Sequence, residues 1–404
     1  MTTWDVIIVG GGAGGFFTAI NYKEQNPDKT VLIIEKDKEV LKKVKISGGG
    51  RCNVTHACFI PKDLSKFYPR GEKELISPFN QFCTGDMMAW LDQRGVPTKI
   101  EEDNRVFPES NSSQSIIDLF LNEAKKLGIK LNTKTRLDKI SKQNNRWHLT
   151  CGEEKYMCQK LVLATGSNPK IWQLIAKNLG HNIIEPVPSL FTFNIKNVNL
   201  NELMGISVPN AQIEIKECKL KSEGALLITH WGLSGPAILK LSAWGARDLH
   251  DLKYNFTISV NWLGNISYEN CVAKLKAYKE QNTKKTLAQH PFDFPKRLWN
   301  YFLKETEIDI GLSWSNLSNK ALNNLAEILS RGNFSVSGKS TFKDEFVTAG
   351  GVDLKEIDFK KFESKLHHNL FFVGEVLNID AITGGFNFQA AWTGGYIVAN
   401  SLGE

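Results

Sequence analysis

The stretch WDVIIVGGGAGGFFTAINYKEQNPDKTVLIIE, Trp4 to Glu35, decides how the rest of the chain is read. An unbroken apolar run from Val6 to Val9 meets Gly10, Gly12 and Gly15 in G-x-G-x-x-G spacing. A helical run to Gln25 follows, then a second apolar run ending in Glu35. The order is strand, tight turn, helix, strand. In such a unit Gly10 allows the turn, Gly12 lets a pyrophosphate approach the backbone, and Gly15 lets helix and strand pack closely. Ala13 and Gly14 open the helix, whose N-terminus supplies unpaired N–H groups to phosphate. Glu35 falls where a carboxylate accepts both hydroxyls of an adenosine ribose, with Lys36 beside it; its charge disfavours a 2′-phosphate there.

With 404 residues, the chain is long enough for two or three domains, and 42% hydrophobic and 23% charged residues are ordinary globular values. No apolar run approaches the roughly 18 residues of a membrane span, and the N-terminus enters the first strand without a basic leader or cleavage site, which points to a cytoplasmic protein. Seven cysteines without a C-x-x-C pair fit buried thiols rather than a disulfide framework or a metal site. Cys52 and Cys58 have five residues between them where disulfide reductases have four, so a redox disulfide is not expected. The net charge of +7 is uneven: Lys36 to Lys73 holds ten Lys and Arg against four acids, and Asn265 to Glu305 eight against four. Such faces attract a polyanion, RNA or an acidic metabolite, although solvated surface lysines give the same counts.

Beyond the first unit, SGGGRCNVT (Ser47–Thr55) places Gly49 and Gly50 within a run of three glycines, followed by Arg51, Cys52 and Asn53. Successive glycines suit a backbone lying against a flat ligand, and Arg51 is placed to meet a phosphate or ring carbonyl. KLVLATGSNP (160–169) reads as a strand running into Thr165 and Gly166, which returns the chain to the nucleotide site. Ser112 or Ser113 caps a helix running to Leu127. From Leu190 to Trp262 the runs FTFNI, AQIEI, ALLIT and FTISVNW suggest antiparallel strands, with His230 just before a glycine loop and a proline-started helix. Three helices follow, the first two basic. The chain closes with a strand delivering Gly374 and Glu375, and a turn through Gly385 into a helix headed by Phe386, Asn387 and Gln389. Strands alternating with helices give an α/β class with an open parallel sheet.

So many glycine-rich contacts exceed the needs of a nicotinamide dinucleotide and suit an extended FAD. Glu375 is placed to accept from ribityl hydroxyls, and the helix opening at Phe386 to favour negative charge at the N1 and C2 edge of a reduced flavin. The expected domains are an FAD-binding part over 1–189, an inserted β domain over 190–265, a helical lobe over 266–335, and a return over 336–404. No second G-x-G-x-x-G marks a site for NAD(P)H, so that donor is expected to bind transiently or to be replaced by a reducing protein.

The stretches GGGAGG, SGGGRCNVT, LATG, THWGLSGPAIL, VTAGGV, EIDF with Ser364-Lys365, GEVLNID and TGGFNFQAAWTGG occur in order over nearly the whole chain. Together they resemble those of the BaiN/YhiN-type FAD-dependent oxidoreductases, also called aminoacetone-oxidase-like flavoproteins. The resemblance implies a glutathione-reductase-type FAD domain built from both chain ends, with an inserted antiparallel β-barrel and a helical lobe. By that pattern Gly10, Gly12, Gly15, Glu35, Gly50, Arg51, Cys52, Gly166, Gly374, Glu375 and Asn387 line FAD. Gly14, Phe386 and Ala381 stand where many relatives have serine, tyrosine and glycine, which bears on flavin tuning. Activities across the family differ: oxidation of amino ketones, reduction of bile-acid intermediates, and reduction of a ribosomal RNA uridine. Given the basic segments, the expected reaction is NAD(P)H-dependent reduction of an activated C=C bond, with ribosomal RNA as favoured partner and Cys52 or His230 as proton donor. A small-molecule flavin oxidase and a non-catalytic flavin-bearing binding protein are the alternatives.

Overall fold

A computed structural model of the chain describes residues 2–340 and 347–403. Its central strand is the first, Thr2–Val9, which lies parallel to Val31–Ile34 on one side and Glu154–Leu163 on the other. Val6, Ile7 and Ile8 are in register with Val31, Leu32 and Ile33, and with Lys160, Leu161 and Val162. Such strands are covered on both faces, which is why their sequences are continuous rather than alternating apolar runs. Lys130–Asn132 adds a further parallel strand beside Val31–Ile34.

The long strand Glu154–Leu163 shares its other edge between two neighbours. Its first part pairs antiparallel with Arg146–Cys151, and its last three residues pair parallel with Leu370–Phe372. The C-terminal segment thereby enters the N-terminal sheet, which reaches nine strands. The last helix, Phe386–Ser401, packs on the first, Ala13–Gln25. Glycines permit the close approach: a Cβ on Gly395 would lie 3.0 Å from Thr18 Oγ1, and one on Gly14 2.6 Å from Val373 Cγ1. Trp392 completes the layer against Phe17 and Phe120, at centroid distances of 5.4 and 5.6 Å.

The chain divides into two compact units, Met1–Val187 with Lys343–Glu404, and Pro188–Phe342. In the second, six antiparallel strands close a barrel: Thr192–Ile195, Gly232–Ser234, Lys221–Thr229, Ser207–Ile215, Asn255–Asn261 and Gly332–Ser340. Helix Pro236–Trp244, with proline in its first turn, packs on four of these strands. Helices Tyr268–Gln281, Lys296–Glu305 and Asn319–Arg331 share one apolar core with the barrel, in which Trp262, Trp299, Phe302 and Leu329 pack with Ile258 and Val336. Ser267 and Ser318 cap the first and third of these helices. Part of the return segment, 341–346, lies outside the described residues. Among the described residues no helix is long and apolar enough to cross a membrane.

Candidate cofactor site and active site

The glycine turn is locked from both sides. Gly10 has φ +116°, and a Cβ there would lie 2.2 Å from the Ala164 carbonyl oxygen; a Cβ on Gly15 would lie 2.0 Å from the Gly10 carbonyl oxygen. Gly12 is the reverse case, with nothing within 4 Å of its would-be Cβ. The first intrahelical bond runs from the Phe16 N–H to the Gly12 carbonyl, so the N–H groups of Ala13, Gly14 and Gly15 lead the helix without a partner inside it. No side chain caps this start and no acid occupies its first turn. An anion at the helix start therefore meets free backbone N–H groups and a positive dipole, with no carboxylate in the helix's own first turn. Glu35 stands beside the turn, its Oε2 accepting from the Gly11 N–H at 2.7 Å and its Oε1 from the Asp37 N–H at 2.9 Å. Lys36 is exposed and lines an open cavity of about 560 Å³ with Asp37, Lys134, Arg136 and Asp138. Thr165 follows the strand end at Leu163, and its buried Oγ1 has no protein partner beside this turn. An open Gly12, an uncapped helix start and an orphaned hydroxyl all fit a bound dinucleotide.

The SGGGRCN segment reaches the same unit's C-terminal turn. Helix Lys42–Gly50 leaves helical geometry at Ser47, Gly48 and Gly49, and Gly48, Gly49, Gly50 and Cys52 all have positive φ. Asn53 is buried; in the orientation its neighbours require, its amide accepts from the Gly385 N–H at 3.0 Å and donates to the carbonyls of Thr55 and Val106. Gly385 (φ +91°) lies so close that a Cβ would sit 2.6 Å from the Thr55 carbonyl. Tyr68, fully buried, donates from its hydroxyl to the Phe386 carbonyl at 2.5 Å, and the Asn387 amide accepts from the Ala381 N–H at 3.0 Å. The head of helix Phe386–Ser401 is thus fixed by three separate parts of the chain: the 53–55 segment, Tyr68 and Ala381.

Several side chains expected at the cofactor also hold partners inside the protein. Gln389 is fully buried, accepting from Thr55 Oγ1 at 2.6 Å and donating to Thr393 Oγ1 at 3.1 Å. Phe386 is buried, its ring stacked on Phe67 with centroids 4.4 Å apart and tilted against His56 at 4.5 Å. Arg51 pairs with Glu101 at 2.6 Å and covers the Phe107 ring at 4.0 Å. Cys52 is fully enclosed, and burial pushes its thiol up to about 12. Its side chain meets no solvent in this structure. Gly166 (φ +61°) and Gly374 (φ +75°) flank Glu375, whose carboxylate is ion-paired with Lys43. His230 belongs to the barrel unit, exposed on the turn after Lys221–Thr229, with Nδ1 2.9 Å from Met204 Sδ.

Five residues of this neighbourhood are absent from the sequence reading: Lys43, His56, Tyr68, and Arg70 with its buried partner Asp380. His56 directly follows the glycine-rich motif; burial lowers its pKa and keeps the ring neutral. Arg70 and Asp380 are far apart in sequence, and no local pattern joins them.

A Rossmann-type sheet completed by the C-terminal strand and helix, with a glycine turn, a glutamate beside that turn and an inserted antiparallel barrel, defines an FAD-dependent oxidoreductase. The family model described as the HI0933-like protein Rossmann domain matches residues 4–401, and the chain belongs to that family. It is 28% identical over 415 residues to the ribosomal RNA dihydrouridine synthase of Escherichia coli, covering 100% of this chain and 98% of that protein. It is 27% identical to the Haemophilus influenzae protein of the same name, covering 98% of each, and 23% identical to the 3-dehydro-bile acid delta(4,6)-reductase of Clostridium scindens, again covering 98% of each. The fold is similar to that of 3-ketosteroid-delta4-(5alpha)-dehydrogenase from Rhodococcus jostii RHA1, with a TM-score of 0.54 and 12% identity over 100% of this chain and 97% of that one.

Proposed function

We propose that this FAD-dependent oxidoreductase reduces an activated C=C bond with electrons from NAD(P)H, and that its substrate is a uridine of large-subunit ribosomal RNA. The observation that carries this reading is the end-to-end match to two relatives named ribosomal RNA dihydrouridine synthase, joined by a third whose name is also that of a reductase. Addition of hydride and a proton across an activated C=C bond is the chemistry those names share.

The N–H groups of Ala13, Gly14 and Gly15 hold the pyrophosphate, with Gly10 and Gly12 shaping the approach, and Glu35 receives the ribose hydroxyls. Glu375, oriented by Lys43, receives the ribityl chain; Gly49, Gly50, Arg51, Thr165, Gly166 and Gly374 line the remainder. The backbone from Gly385 to Asn387 would direct the positive end of its helix dipole to the electron-accepting part of the flavin. When bound, FAD supplies hydride transfer between the nicotinamide donor and the substrate carbon. His230 is the accessible proton source of the two candidates, since Cys52 is enclosed.

The deciding experiment reduces the purified holoprotein anaerobically with NADPH and adds ribosomal RNA from a strain lacking dihydrouridine. Flavin reoxidation with dihydrouridine detected by mass spectrometry is the expected result. Inertness toward RNA, alongside rapid reoxidation by oxygen in the presence of amino ketones, would replace this function with a small-molecule oxidase.

A further inference from the structure

The two basic segments differ in how their charge is held. Between Lys36 and Lys73, six of the ten cations are ion-paired: Lys42, Lys43, Lys45, Arg51, Lys66 and Arg70. Between Asn265 and Glu305, among the described residues, none of the eight has a carboxylate within ion-pair distance. The first segment is largely neutralised within the fold, and the second keeps its field for a partner.

Two of the unpaired cations lie beside an exposed apolar and aromatic patch. On helix Lys296–Glu305, Arg297 donates to the Glu202 carbonyl and Lys304 Nζ to Asn199 Oδ1 at 2.8 Å, which seats the helix against the segment 196–206. Glu305 accepts from the Asn199 amide at 2.8 Å on the same side. The segment carries exposed Lys196, Val198 (76% exposed) and Met204 (54%). It joins the turn at 230–231 through the Gly205 N–H to the Ile228 carbonyl, 2.9 Å, and through the Met204 contact with His230. Trp231 projects from that turn, 53% exposed.

Resting on the RNA-reductase reading above, we infer that this patch is the docking surface for an unpaired stretch of RNA. Trp231 offers one base a stacking face, with Val198 and Met204 beside it, and Lys196, Arg297 and Lys304 meet the flanking phosphates. A flat exposed indole bordered by unpaired cations matches single-stranded nucleic acid, whose bases have free faces; a duplex presents only its edges and phosphates. An apolar protein partner would cover the indole and leave three cations with no anionic counter-charge.

The test uses the holoprotein and a fluorescently labelled single-stranded RNA carrying ribosomal sequence without dihydrouridine, titrated by anisotropy over a range of salt. Trp231→Ala is expected to weaken binding about 5- to 150-fold, the range for loss of one stacked base, and Trp231→Phe to recover most of it. The double variant Arg297→Ala, Lys304→Ala is expected to reduce the slope of log K against log salt by about 1.4, at roughly 0.7 per phosphate on a single strand. Reduction of FAD by NADPH stays at the wild-type rate in all of them, and the RNA effect falls on KM. Wild-type RNA affinity and salt slope in these variants, or equal affinity for a duplex, overturns the docking surface while leaving the RNA-reductase function standing. A wild-type protein that neither binds RNA nor is reoxidised by it overturns both.

Discussion

Replacing Gly12 and Gly15 separately by alanine divides what the glycine turn does for the fold from what it does for the cofactor. At Gly15 the new Cβ would sit 2.0 Å from the Gly10 carbonyl oxygen and 3.4 Å from Ile8 Cγ2. Relief requires the helix to move roughly 1 Å off the strand, because normal C···O contacts are above about 3 Å, and overpacking of this kind costs about 1–3 kcal/mol or more. The opposite side cannot yield, since Gly10 is held against Ala164. At Gly12 the Cβ enters open space at φ −92°, and loss of a glycine N-cap costs under about 1 kcal/mol. Gly12→Ala is therefore expected to unfold near the wild-type temperature as apoprotein, yet to bind FAD about 5- to 150-fold more weakly, as about 1–3 kcal/mol of steric conflict at the pyrophosphate dictates. Gly15→Ala is expected to lose both stability and FAD. The assays are thermal unfolding of apoprotein and quenching of flavin fluorescence on titration. Wild-type FAD affinity in Gly12→Ala would refute the approach of the pyrophosphate to this turn.

Tyr68→Phe leaves the Phe386 carbonyl without its buried donor and should cost about 1–2 kcal/mol, a fall of roughly 2–8 °C in unfolding temperature; an unchanged transition would show that the helix head is held without it. Cys52→Ala is expected to keep both bound FAD and turnover, and in the native protein Cys52 should resist alkylation, followed by peptide mass spectrometry; loss of turnover with FAD retained would return the thiol to the chemistry. His181 is buried between Glu356, 2.6 Å from Nδ1, and Ser364, 2.9 Å from Nε2. Ser364 Oγ already accepts from the N–H groups of Leu366 and His367, so its own hydrogen goes to His181. Burial lowers the His181 pKa, with the His367 ring acting the same way and Glu356 opposing. The stability this gives is fully present above the unfolded value near 6.5 and is lost as pH falls through the folded value. The unfolding temperature should drop between pH 7.5 and 5, and drop less in His181→Gln; equal pH dependence in the two would remove His181 from the effect.

The strand, turn and helix of residues 4–35 were legible because each glycine answers a local steric demand and the buried strands leave unbroken apolar runs. Antiparallel strands were visible in the runs between Leu190 and Trp262, and the helix Ser113–Lys126 in its serine cap. What the chain does not show locally is which side chains the fold turns inward. Gln389 and Asn53 look like ligand contacts in sequence, yet both hold backbone or hydroxyl groups inside the protein. The Arg70–Asp380 pair and the Tyr68 bond to Phe386 are missed because their partners are brought together only by the fold. His56 was the nearest miss, one residue beyond the quoted motif.

The sharing of strand Glu154–Leu163 between an early and a very late neighbour sets an order for biosynthesis. Leu370–Phe372 and helix Phe386–Ser401 leave the ribosome only after the whole barrel unit has been made. At about 5–20 residues per second, that unit occupies the ribosome for roughly 10–30 s. Throughout this interval the nascent first half has an open edge along Leu161–Leu163 and an uncovered face on Ala13–Gln25. The barrel itself can close only after its last strand, Gly332–Ser340, has been made, since that strand joins Thr192–Ile195 to Asn255–Asn261. A chain stalled before residue 370 would therefore present an unfinished sheet, a natural substrate for holding chaperones and for proteases that survey incomplete products.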